Sequence, residues 1–153
     1  QTLGLNSRLD TLQAAILLAK LEAFVEYELD AVNRVAYLYT ENLSDLVQTP
    51  VVPEGYYSSW AQYTIRLEDK EKKDAVQRKL TEQGIPAMAY YPRPLHAQTV
   101  FSSLGQDSCL FPNSARAAQT VLSLPIHPYL SQADVARVSD QIKGFMTAFG
   151  GRR

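Results

Sequence analysis

Asn6, Ser7 and Arg8 place an amide, a hydroxyl and a guanidinium in consecutive positions, directly ahead of the apolar-rich run Leu9-Asp10-Thr11-Leu12-Gln13-Ala14-Ala15-Ile16-Leu17. Polar groups at the start of a helix meet its unpaired N–H groups and the positive end of its dipole, a setting that favours an anion. A guanidinium there can grip a carboxylate or phosphate through two parallel hydrogen bonds. On the residues alone a structural alternative stands beside this: Asn6 or Ser7 caps the helix and Arg8 is solvated.

The second cluster is Tyr90-Tyr91-Pro92-Arg93-Pro94-Leu95-His96-Ala97-Gln98. Its prolines stiffen the loop, and two phenols and an imidazole flank the turn, an arrangement that suits a sugar or a base. Its alternative is that one tyrosine belongs to the core and the rest line a surface loop. Trp60 and Tyr63 read as core residues. Tyr56 and Tyr57 read as exposed or as cover for an interface. His127, between Ile126 and Pro128, reads as a residue that orients a loop.

Other chemistries find little support. The two histidines, His96 and His127, and the single cysteine, Cys109, show no metal-ligand spacing, and no motif surrounds Cys109. Seven glycines are scattered or terminal, so no phosphate-binding glycine loop is present. One cysteine excludes an internal disulfide and suits a reducing, cytoplasmic setting. Acids and bases are mixed along the chain to a net charge of −1, which argues against nucleic acid or an anionic membrane surface as partner. The apolar stretch Ala14 to Leu21 is interrupted by Lys20 and is too short to span a bilayer.

The elements that must position these residues follow from periodicity and punctuation. Between Gly4 and Pro50 there is neither glycine nor proline. Leu9, Leu12, Ala15, Ile16, Ala19 and Phe24 form one helical stripe, and Val32, Val35, Ala36, Tyr39 and Leu43 a second. The pattern predicts one long helix or two in series, bent near Glu28 to Asp30, of the kind that crosses a domain or bridges two. Pro50, Pro53 and Gly55 end it. Trp60 to Leu67 predicts a strand. Asp69 caps a helix to about Gln83, with Gly84 at its C-terminal turn. Pro86 to Tyr91 predicts a second strand, Ala97 to Leu104 a short helix, Pro112 to Val121 another, and Leu122 to Pro125 a third strand. Ser131 with Asp134 opens the last helix.

The resulting expectation is an α/β chain of the α+β type. A long N-terminal helix region, 1–46, leads into a small domain, 47–153, with a mostly antiparallel three-stranded sheet covered by helices. The size of 153 residues allows one respectable core.

Three separated segments resemble one family. They are Gly4-Leu5-Asn6-Ser7-Arg8-Leu9-Asp10, Trp60-Ala61-Gln62-Tyr63-Thr64-Ile65-Arg66, and Gly84-Ile85-Pro86 leading to Tyr90-Tyr91-Pro92-Arg93-Pro94-Leu95-His96. Ser123-Leu124-Pro125-Ile126-His127-Pro128 resembles the same family's closing segment. In order and spacing the whole chain resembles the C-terminal part of the DegT/DnrJ/EryC1/StrS sugar-nucleotide aminotransferases, fold-type-I enzymes that use pyridoxal phosphate.

The resemblance implies a homodimeric enzyme in which Asn6 hydrogen-bonds the cofactor phosphate of the neighbouring subunit. It implies substrate contacts from Arg8, Tyr90, Tyr91 and His96. The motif forms are closest to transaminases of UDP-linked 3-keto uronic acids, with Arg8 facing the uronate carboxylate and glutamate as amino donor, in surface polysaccharide synthesis. The Schiff-base lysine and the acid that pairs with the pyridine nitrogen are implied to lie upstream of this segment, so the isolated chain is expected to be inactive. Two other functions fit the residues: a non-catalytic dimerisation or interaction module, and a sugar-binding domain without cofactor.

Overall fold

The computed structural model describes residues 8–105 and 110–150. Asp10 has extended backbone, and its carboxylate accepts the N–H of Gln13 at 2.8 Å, which caps helix α1, Thr11–Ala23. Asn6 and Ser7, the alternative caps, lie outside the described residues. Phe24–Glu28 form a π-turn, in which the N–H of Leu29 reaches back to the carbonyl of Phe24, and helix α2 continues over Leu29–Leu43. The expected bend is therefore a change of helical pitch that ends at Glu28.

Two short strands, β1 (Tyr63–Arg66) and β2 (Val121–Leu124), pair antiparallel with Tyr63 opposite Leu124 and Arg66 opposite Val121. Strand β1 starts later than expected because Trp60 has φ +47°, a left-handed backbone that an extended run cannot contain. The expected third strand, Pro86 to Tyr91, is not formed. Met88 alone bridges to Ser123, through reciprocal hydrogen bonds of 3.1 and 2.7 Å. Pro86 and Pro92 lack the N–H groups that would extend this ladder. The sheet thus has two strands rather than three.

Helix α3, Lys70–Glu82, carries the expected Asp69 cap, whose carboxylate accepts the N–H of Lys72 at 2.8 Å. Gly84, at φ +69°, closes its far end. The N–H of Gly84 bonds the carbonyl of Thr81 and that of Ile85 the carbonyl of Leu80, the paired closure of a Schellman motif. The expected helix over Ala97 to Leu104 is two 3-10 turns, Leu95–Ala97 and Thr99–Leu104. Helix α4, Pro112–Thr120, begins on its proline. Helix α5, Gln132–Gly150, is opened by Ser131 and Asp134, which bond each other's N–H groups at 3.1 and 3.0 Å.

Helices α2 and α5 pack together over the sheet, with α3 beside α5 and α4. Tyr39 and Leu43 of α2, Tyr63 and Ile65 of β1, Leu80 of α3, Leu122 of β2 and Ile142 of α5 are fully buried at the centre. Trp60 packs half-buried against this cluster. Helix α1 differs: none of its residues is buried, and Leu12 and Leu18 are 73% and 70% exposed. A helix that is apolar nearly all round needs cover on more than one side.

Candidate functional site: a tyrosine-partitioned groove

The Met88–Ser123 bridge holds the segment before Tyr90 against β2. Tyr90 and Tyr91 consequently stand at the open end of the sheet, beside Gln62, which precedes β1, and Pro125–Ile126, which follow β2. Together they line a groove of about 400 Å³. The two phenol rings meet edge to face, with centroids 6.0 Å apart and planes at 83°. On their other side they line a second groove of about 280 Å³ with Arg93 and Ser114. The tyrosine pair is the partition between the two.

Hydrogen bonds fix the frame of these grooves. The Gln98 side-chain amide donates to the Arg93 carbonyl at 3.0 Å and closes the proline-rich loop. The hydroxyls of Thr64 and Ser123 are paired at 2.8 Å across the strands. Apolar walls (Pro86, Met88, Ile126) with a few polar groups (Gln62, the phenols) suit a ligand that is part ring and part hydroxyl. Arg93 adds a cation to the second groove.

Of the expected site residues, the structure brings Tyr90 and Tyr91 together. His96 lines neither groove. Its ring stacks on Phe111 with centroids 4.7 Å apart and planes at 28°, and its Nε2 is buried with no partner among the described residues. Arg8 is exposed, two residues ahead of the Asp10 cap, and lines neither groove. Asn6 lies outside the described residues. Sequence reasoning missed Gln62 and Arg93 as groove residues. Arg93 could have been found as the cation between two prolines in the tyrosine loop. Gln62 carried no signal beyond its place in a strand-like run. His127 orients its loop, as expected: its Nδ1 accepts the N–H of Tyr129 at 3.2 Å.

Four of the described lysines are held by polar partners. Lys70 and Lys73 pair with Asp74, Lys72 pairs with Glu68, and Lys143 donates to Asn42 at 2.8 Å. No lysine, aspartate or glutamate lines either groove. Among the described residues no cluster of potential metal ligands occurs, and no helix is long and apolar enough to cross a membrane.

The chain is similar to known proteins of one family. Residues 1–143 match the model of the DegT/DnrJ/EryC1/StrS aminotransferase family. The chain is 42% identical over 150 residues to a "Pleiotropic regulatory protein" of Geobacillus stearothermophilus, covering 96% of this chain and 40% of the relative. It is 41% identical over 133 residues to the UDP-2-acetamido-2-deoxy-3-oxo-D-glucuronate aminotransferase of Pseudomonas aeruginosa, covering 86% of this chain and 35% of that enzyme. The crystal structure of a DegT DnrJ EryC1 StrS aminotransferase from Brucella abortus superimposes with a TM-score of 0.78 at 44% identity, over 94% of this chain and 37% of that one. The chain thus spans 35–40% of the length of these proteins. It belongs to the DegT/DnrJ/EryC1/StrS aminotransferase family.

Proposed function

We propose that this member of the family forms the substrate-side portion of a pyridoxal-phosphate-dependent aminotransferase. The reaction moves an amino group from a donor such as glutamate to the keto carbon of a nucleotide sugar, here a UDP-linked 3-keto uronic acid. The observation that carries the reading is the pair of tyrosines partitioning two grooves, in a chain 41% identical to a uronate aminotransferase. The cofactor, when bound, supplies the electron sink for amino transfer. The residues of this chain bind and orient the sugar.

In this reading Tyr90 and Tyr91 present hydroxyl edges to the sugar, His96 braces the far end of their loop through its stack on Phe111, and Arg8 pairs with the uronate carboxylate. Asn6 serves the cofactor phosphate of a neighbouring subunit. Residues 1–46 act as the interdomain helix region and 47–153 as the small domain. The lysine and its partner acid come from outside these 153 residues, and the isolated chain is inactive. The enzyme works in the cytoplasm as a homodimer, in the synthesis of surface polysaccharide. The exposed apolar surface of α1 supports burial of this helix in an assembly and also favours a second reading, an interaction module without chemistry.

The test is amino transfer by the protein expressed from its native gene, with pyridoxal phosphate and ¹⁵N-glutamate. Nitrogen-15 should appear in the amino sugar formed from a UDP-3-keto uronate and much more slowly in the amino sugar formed from a dTDP-4-keto sugar. Equal labelling of both would overturn the substrate assignment, and labelling of neither the enzymatic one.

A further inference from the structure

Glu28 is the first buried residue of the long helical run, at 6% exposure, and no residue of α1 ahead of it is buried. It is also the last residue of the π-turn. One Glu28 carboxylate oxygen accepts the phenol hydroxyl of Tyr129, from the loop that follows β2. That loop is itself fixed: His127 accepts the N–H of Tyr129 on Nδ1, and its carbonyl accepts the N–H of Leu130, both at 3.2 Å. Just beyond Glu28, the first turns of α2 are held from another loop. Tyr57 donates to Asp30 at 2.6 Å, Asn33 donates to the Ser58 carbonyl at 3.0 Å, and the Trp60 indole donates to Asn33 at 2.8 Å.

We infer that Glu28 and Tyr129 are positioning residues that set the direction in which helix α1 leaves the domain. That this direction matters for placing Arg8 on a substrate rests on the functional reading above. The fastening itself does not.

Leverage is the physical reason. From Thr11 to Glu28 the helical run reaches about 27 Å at 1.5 Å per residue. A tilt of about 10° at its root then carries the far end by ~5 Å, while productive binding geometries tolerate far less. A π-turn interrupts the regular hydrogen-bond ladder at that root and offsets the side-chain faces on either side of it. The turn needs an external fastening, and the Glu28–Tyr129 bond supplies one. No lysine or arginine pairs with Glu28 among the described residues, and the Tyr129 phenol is the hydrogen-bond donor that reaches it from another element. Without that hydroxyl the Glu28 carboxylate loses its donor from the loop after β2, and the turn loses that hold.

The test reads the direction of α1 without any enzyme assay. Spin labels are placed at Gln13→Cys on α1 and Lys79→Cys on α3, both exposed, in a Cys109→Ser background. Double electron–electron resonance is recorded with unlabelled protein in excess, so that only distances within one molecule count. The parent should give one narrow distance peak. Tyr129→Phe, which removes one hydroxyl from a 63% exposed side chain, should lose it to a broad or shifted distribution. Glu28→Gln keeps an acceptor for the phenol and should retain the peak, whereas Glu28→Ala should lose it. Tyr37→Phe, which removes a comparable phenol–carboxylate bond to Glu41 within α2, should leave the peak unchanged. A narrow peak preserved in Tyr129→Phe would overturn the inference. So would equal broadening in Tyr37→Phe, or a parent that is already broad.

Discussion

The phenol of Tyr39 donates a hydrogen bond to the carbonyl oxygen of Pro125 at 3.0 Å, joining α2 to the segment that forms one wall of the tyrosine groove. Tyr39 is fully buried, so its hydroxyl has no water to fall back on. Tyr39→Phe should cost about 1 kcal/mol of stability, measured by urea denaturation, and the amides of Pro125's neighbours should exchange hydrogen faster. Unchanged exchange at Leu124 and Ile126 would detach the groove wall from this bond.

The same burial gives a signature in alkali. The Tyr39 phenol is pushed well above its ordinary value of 10.0 by burial first and then by its neighbours, and Tyr63 is raised as well, again chiefly by burial. A raised phenol keeps its proton in the folded chain after the unfolded chain has lost it. The stability these groups contribute is therefore complete below pH 10 and falls as the pH rises beyond it. Denaturation midpoints taken between about pH 8 and about pH 11 should show this fall. Tyr39→Phe should have a shallower slope.

At the acid end the reporter is Asp134. Hydrogen bonds from the Ser131 hydroxyl, and then from the Ser131 backbone, hold its carboxyl below the ordinary 3.8. Its contribution is present above that value and is lost as the pH falls through the lowered one. Asp134→Asn should flatten the acid limb of the stability profile. Ser131→Ala removes the same cap and should cost about 1 kcal/mol at neutral pH.

Gly84 provides a purely conformational test. Its φ is +69°, and a Cβ built there meets no atom within 4 Å. Gly84→Ala should therefore cost about 1 kcal/mol through backbone preference alone, with no change in the packing of Ile85 seen by NMR. A much larger loss would mean that the turn cannot tolerate a side chain for some other reason.

Much of the frame could be read from residues with one strong local role. Asp69, Gly84, Pro112 and the Ser131–Asp134 pair each bound a helix as their chemistry requires. Other features depended on tertiary context. Pro86 to Tyr91 looks like a strand, but its flanking prolines leave one bridge at Met88. Trp60 looks like a strand residue, yet its positive φ delays β1 to Tyr63. The apolar stripe from Leu9 to Phe24 resembles a core face, and all of it is uncovered or only partly covered here. At the site, adjacency in sequence revealed the Tyr90–Tyr91 pair. The stacking of His96 on Phe111 and the approach of Gln62 come from elements far apart in the chain, which no local pattern records.

The central claim is that this chain handles the sugar rather than the cofactor chemistry. The most direct test compares Arg8→Ala with the parent in the protein expressed from its native gene, reading the KM for the UDP-3-keto uronate and the bound pyridoxal phosphate by absorbance. Loss of a charge-assisted, two-point contact should raise KM about tenfold or more while cofactor content stays at the parent level. Equal loss of substrate use and of bound cofactor would contradict the account.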